Sequence, residues 1–154
     1  MSDVRLSITP AATKIIRYVE TLLKPIGVPV EAQPIGYVPH ELFAHVNVAV
    51  VDDTVFDQWS SFDSEGRTLE IDIEVRCKIN GVAYTEAKAI ASSIEKLMTA
   101  NRGQHVVDGG SVVAERVGEP VDPTRDGEAT TVLLPIQYSM LHRIPRGIPD
   151  VIKP

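Results

Sequence analysis

The chain has 154 residues, with 15 Lys+Arg against 21 Asp+Glu, a net charge of −6 and a single cysteine, Cys77. That length fits one domain able to bury about 68–70% of its unfolded surface without staples, and one cysteine excludes an internal disulfide. The acidic balance argues against general nucleic-acid binding, which draws its affinity from a basic patch.

Thr9 and Pro10 read as a helix N-cap followed by proline at the first helical position. Ala11, Ala12, Ile15, Ile16, Val19, Leu22 and Leu23 then form one apolar stripe, with Lys14, Arg17, Glu20 and Lys24 off it. Pro25 and Gly27 end this helix. Residues 28–33 alternate weakly and suggest a short strand; Pro34, Gly36 and Pro39 punctuate a loop after it. Val46, Val48 and Val50 alternate with Asn47 and Ala49, which predicts a strand over 44–51. Residues 52–66 read as a loop or hairpin tip.

The clearest strand signal covers residues 67–79. Leu69, Ile71, Ile73, Val75, Cys77 and Ile79 alternate without a break with Glu70, Asp72, Glu74, Arg76 and Lys78. Successive side chains of a strand point to opposite faces, so one face is apolar and the other is charged and expected to meet water. Cys77 falls on the apolar face and reads as a buried, inert thiol. Asn80-Gly81 signals a turn. Thr85 is placed to cap a second helix, with Glu86 suited to its dipole. Ala87, Ile90, Ala91, Ile94, Leu97 and Met98 make its apolar stripe, and residues 101–103 close it. Residues 106–117 hold a strand around Gly109-Gly110. Residues 118–127 read as a polar loop. A last strand over 129–143 carries Val132, Leu134, Ile136, Tyr138 and Met140 on one face; Pro135, which lacks a donor, predicts that this strand is at an edge or bulged.

The expected class is therefore α+β: an antiparallel sheet of four to five strands with two helices on its apolar face, in the order α-β-β-β-α-β-β. Residues 1–143 form one domain, and residues 144–154 an extended Pro-rich arm. No apolar run approaches the ~20 residues of a membrane span. Residues 1–10 lack the layout of a signal peptide. A soluble protein made in a cytoplasm is expected.

Chemistry-bearing motifs are scarce. His40 and His45 are five apart, about 140° around a helix, and cannot reproduce a zinc-protease pair four apart. Asp108-Gly109-Gly110-Ser111 lacks the Lys-Ser/Thr of a phosphate loop and reads as a turn. Glu70, Asp72 and Glu74 lie beside Arg76 and Lys78, which fits solvation better than a tuned acid–base pair. No cofactor, metal or catalytic residue is expected. Two features go beyond a bland domain. Residues 52–66 carry Phe56, Trp59 and Phe62 among five acidic residues; they either fold back over the core or anchor a partner. Ile144, Ile148, Val151 and Ile152 make the Pro-rich end apolar; it is either a loosely packed terminus or an arm laid on a neighbouring subunit.

The layout resembles the tail terminator (tail completion) proteins of long-tailed bacteriophages. The matching features are the N-terminal helix, the meander ending in the long alternating strand and the Ala-rich helix around Glu86-Ala87-Lys88-Ala89-Ile90-Ala91. The polar loop and the final strand closing with Tyr138-Ser139-Met140-Leu141-His142-Arg143 complete it. The similarity runs over residues 9–143 and does not cover the end from Ile144. It implies a homo-hexameric ring in the virion, at the head-proximal end of the tail, assembled in the host cytoplasm. Such a ring caps the tail tube, ends its polymerisation and meets a neck or head-completion protein, while DNA passes through its lumen. It also implies that Glu70, Asp72, Glu74, Arg76 and Lys78 line that lumen, with the major tail tube protein as a partner and no catalytic residues. A neck or head-completion protein is the neighbouring alternative. A small ligand-binding α+β domain using Glu70, Asp72 and Glu74 is the alternative outside the virion.

Overall fold

Helix α1 (Pro10–Leu23) starts where Thr9 predicts: the Thr9 side chain accepts a hydrogen bond from the Ala12 N–H at 3.1 Å. Its stripe Ala11, Ala12, Ile15, Ile16, Val19 and Leu23 is buried. A 3-10 turn (Lys24–Ile26) closes on Gly27, whose φ of 89° suits only glycine without strain. The computed structural model describes residues 8–32, 44–78, 83–118, 122–125 and 131–154. The predicted loop at Pro34, Gly36 and Pro39, His40, Ile79 and the Asn80-Gly81 turn lie outside them.

The strands are β1 (Val30–Ala32), β2 (Ala44–Val55), β3 (Ser64–Lys78), β4 (Gln104–Val107), β5 (Gly110–Val117), β6 (Thr124–Arg125) and β7 (Thr131–Pro145). Helix α2 (Ala83–Thr99) lies between β3 and β4 in the chain. The α+β class is as expected, but the sheet has seven strands, in the order β1-β2-β3-β7-β5-β4 with β6 beside β7. Pairing is antiparallel except for β1, which runs parallel to β2. Cross-strand registers align the apolar sets: Val46, Val48 and Val50 face Val75, Ile73 and Ile71, and these in turn face Leu134, Ile136 and Tyr138. All are buried on the face that carries the helices, where each fully buried aliphatic side chain contributes about 1.5–3 kcal/mol.

Four expectations are corrected. Helix α2 begins at Ala83, so Thr85 lies in its first turn and is not its cap. Residues 104–117 form a hairpin, because Asp108 (φ 51°) and Gly109 (φ 82°) make a two-residue turn with both φ positive. Residues 124–125, in the predicted loop, pair briefly with β7. The last strand is not an edge: β7 sits between β3 on one side and β5 and β6 on the other. The β5 ladder stops at Gln137 and the β6 ladder starts at Leu133, so Pro135 falls in the gap where that side of β7 has no described partner.

Helix α1 ties down both outer strands of the sheet. The Glu20 carboxylate accepts the Ala32 N–H of β1 at 2.8 Å. At the other edge Tyr18 O–H donates to His105 Nδ1 of β4, and His105 Nε2–H donates to the Met98 carbonyl at 2.9 Å. The sheet thus curls about α1.

Candidate functional site

The charged side of β3 is less open than its alternation suggests. Glu70 is exposed, but Asp72, Glu74, Arg76 and Lys78 are only partly so. The strand is interior, and its neighbours shield it. On β2, His45 stands opposite Arg76 and Asn47 opposite Glu74, with exposures of 1% and 0%. Arg76 donates to Glu74 at 3.2 Å. Burial, then the adjacent Glu74 charge, pushes the Asp72 carboxyl up from its ordinary value. A depression lined by Val51, Glu70, Val117 and Gln137 on this face holds only ≈ 160 Å³, below the 300–1,000 Å³ usual for small-molecule sites. Among the described residues no group of three His, Cys, Asp or Glu side chains could hold a metal ion.

The segment expected to be a loop or hairpin tip after Val51 is a hairpin tip, with strands longer than expected: β2 runs to Val55 and β3 starts at Ser64. A β-bulge between Val50 and Asp52 shifts the register by one residue, so Asp52 pairs with Glu70 and Asp53 with Leu69. The bulge swaps the faces. Asp53 now points to the helix side, where its carboxylate accepts the Thr9 N–H at 2.9 Å and Arg67 Nε–H at 3.0 Å. Its side chain is 1% exposed and that of Arg67 13%. Arg67 also reaches Glu65 at 2.9 Å, and His142 stands opposite it on β7. This ion cluster locks the N-terminus of α1 onto the β2–β3 hairpin. No sequence signal singled it out, because the bulge breaks the alternation that would have revealed it.

Beyond the bulge the hairpin ends in a 3-10 turn (Asp57–Trp59). Of the three predicted anchors, Phe56 and Trp59 stack on each other, centroids 6.4 Å apart, and Arg143 covers the Trp59 ring at 5.1 Å. A Cβ on Gly66 would come within 2.4 Å of Trp59 Cβ, so only glycine allows this turn to lie back on β3. Phe62 does neither: it is 99% exposed. Around it Asp57 is exposed, and Asp63, held below the ordinary carboxylate range first by the Ser61 hydroxyl and then by Lys153, is exposed as well.

The C-terminal end is seated on its own chain. Ile144 belongs to β7 and is 3% exposed; Ile152 is 2% exposed. Ala11 N–H donates to the Pro149 carbonyl at 3.0 Å, Ser111 N–H to Lys153 O at 2.9 Å and Lys153 N–H to Arg143 O at 2.8 Å. Ile152 lies on Gly110, where an added Cβ would approach its carbonyl to 2.3 Å. Two of the four predicted arm residues are therefore core, and only Ile148 and Val151, at 48% and 42%, remain available outside.

Two buried histidines are expected to make the fold acid-sensitive. Burial lowers the pKa of His142 and of His45; carbonyl and carboxylate neighbours (Met140 O and Asp53 for His142, Glu31 for His45) oppose it, and Arg67 and Arg76 reinforce it. The unfolded chain then binds more protons than the native one below the free histidine value of about 6.5, so stability is full above that pH and is lost as pH falls toward the native pKa values. Asp72, shifted up, acts the opposite way at lower pH. Urea midpoints at pH 7.5 and 5.5 are expected to fall with acid, and His142→Gln to reduce the drop; equal midpoints at both pH values would refute it.

No family model and no curated protein matches the chain. Among solved structures, one whose name carries no function aligns with a TM-score of 0.52 at 15% identity, covering 84% of this chain and 90% of its own. Another, from the virion of a native gene transfer agent (GTA) particle, aligns with a TM-score of 0.44 at 16% identity, covering 85% of this chain and 90% of its own. The first is a likeness of fold alone; the second is too distant to carry an inference. No helix among the described residues is long and apolar enough to cross a membrane.

Proposed function

We propose that this chain is a non-catalytic virion protein of the tail terminator type, which assembles as a ring, caps a phage tail tube and forms the joint to the head connector. The observation that carries the reading is the β2–β3 hairpin. It ends in a turn at the end of the sheet, braced by Asp53 and Arg67 and carrying a fully exposed Phe62 among carboxylates. The backbone on either side of Phe62 is held by hydrogen bonds from Ser61 N–H to Ser64 O and from Arg146 to Asp63 O and Ser61 O, so docking of this apolar ring orders little further backbone, which favours assembly. The sequence layout that resembles tail terminators supports the same reading. In it the partners are further copies of the chain, the tube protein and a neck or head-completion protein, at the head-proximal end of a tail assembled in the host cytoplasm. The lumen-facing strip is Glu70 with Asp72, Glu74, Arg76 and Lys78, a mixed-charge wall that lets DNA pass because it offers phosphates no basic surface to hold.

Light scattering of the protein alone and with purified tail tubes tests this. A closed oligomer, six subunits in the expected case, seated on tube ends supports it. A strict monomer that never attaches to tubes overturns it. Attachment to the connector but not to tubes would move the protein to the neck.

A further inference from the structure

Between α1 and the edge strand β4 lies an open groove of ≈ 450 Å³, lined by Lys14, Arg17, Tyr18, Thr21, Val106 and Asp108. Val106, which alternates with the inward-facing His105 and Val107, stands at its outer rim and is 72% exposed, the second most exposed large hydrophobic residue described after Phe62. Val107 and Gly110 flank the two-residue turn and bond to each other across it, so the N–H and C=O of Val106 point away from β5, along the outer edge of the sheet. On the α1 wall Arg17 is exposed, and Lys14, 40% exposed, is ion-paired with Asp108 at 2.6 Å. The groove thus offers an exposed apolar side chain at its rim, a strand edge with no partner among the described residues and an exposed cation, Arg17. The tip offers the complement: an apolar ring, with the exposed carboxylates of Asp57 and Asp63 beside it.

We propose that the Phe62 tip of one copy seats in the α1–β4 groove of a second copy of this chain, with Phe62 on Val106 and Asp57 facing Arg17. The inference rests on the self-assembly reading above and names the surfaces that carry it. Opposite charge beside an exposed apolar side chain on each of two patches of one chain favours a contact between unlike surfaces, and such a contact can repeat from copy to copy, as closing a ring requires. The unpaired edge of β4, an aggregation hazard if left open, would be covered by the same contact.

Two single variants, Phe62→Cys and Val106→Cys, carried on chains of different tag length, test the contact by oxidation, both free and on tube ends. Cys77 is silent in this experiment, being buried with its thiol pushed up to about 11. The mixed disulfide is expected to exceed either symmetric one several-fold. Arg17→Glu is expected to weaken self-association about tenfold or more, and Asp57→Arg in the same chain to restore it. If the mixed disulfide does not exceed the symmetric ones, or Arg17→Glu leaves association unchanged while wild-type oligomers persist, the groove is not the seat although the assembly reading stands. If Phe62→Ala keeps the oligomer and loses only attachment to tubes, the tip belongs to the tube protein and the inference falls. If the wild type neither oligomerises nor attaches, both fail together.

Discussion

Arg67→Ala is expected to cost about 3–5 kcal/mol, the range for leaving a buried charge without its partner. Arg67 is 13% exposed and is the cation for Asp53, itself 1% exposed, and for Glu65. Removing it leaves the Asp53 carboxylate buried with only the Thr9 N–H and hydroxyl to satisfy it, at 2.9 and 3.4 Å. For a chain of this size that corresponds to a fall in Tm on the order of 10 °C. Asp53→Ala is expected to be similarly damaging, since it also removes the acceptor that fixes the start of α1. Asp53→Met with Arg67→Met should recover much of the loss, because replacing a buried pair by apolar groups of similar volume is often neutral. Thermal and urea unfolding of the two singles and the double make the measurement. Single losses below about 1 kcal/mol would show that the pair behaves like a solvent-screened surface bridge. The hairpin tip should also lose its fixed aim, so self-association of Arg67→Ala should weaken even where the fold survives.

A chain ending at Pro145 is expected to lose about 3 kcal/mol or more of stability. The truncation removes Ile152, 2% exposed, and opens a cavity over Gly110; an Ile→Ala change at such a position alone costs about 2–5 kcal/mol. It also strips three backbone hydrogen bonds that tie residues 149–153 to Ala11, Ser111 and Arg143, each worth about 1 kcal/mol net. Gly110→Val separates the effects: it keeps the tail but denies it its seat, and should reproduce much of the loss. A truncated chain that unfolds at the wild-type midpoint but fails to oligomerise would instead make the tail an arm for a neighbour, through Ile148 and Val151.

These two expectations rest on groups that the sequence reading handled differently. The helix of residues 10–23, its Thr9 cap and the long β3 strand were legible because each depends on local spacing: 3.6 residues per turn in one case and two in the other. The Val46–Val50 strand was legible for the same reason. Asp53 was not, since one extra residue at Val51 inverts the phase and makes an inward acid look like part of an outward loop. Ile152 was not, because three prolines after Ile144 announce an irregular path and say nothing of where that path lands. Of the three aromatic residues near the tip, composition could not choose between packing and exposure; Gly66, 99% exposure of Phe62 and the Arg143–Trp59 contact divide them.

The uninterrupted alternation of residues 69–78 by itself determined that a long strand exists, which of its faces is apolar and that Cys77 lies on that face, because those properties need only the strand's own period and its neighbours in the chain. Composition determined an acidic chain, and the order of the elements its α+β class. Only the tertiary structure decided that β3 is flanked by β2 and β7, that its charged face is half covered beside His45 and Asn47, and that Pro135 occupies a gap in an interior strand. Those outcomes depend on which strands become neighbours and in what register, and pairing is set by contacts between residues as far apart as Glu65 and Ile144, which no local pattern encodes.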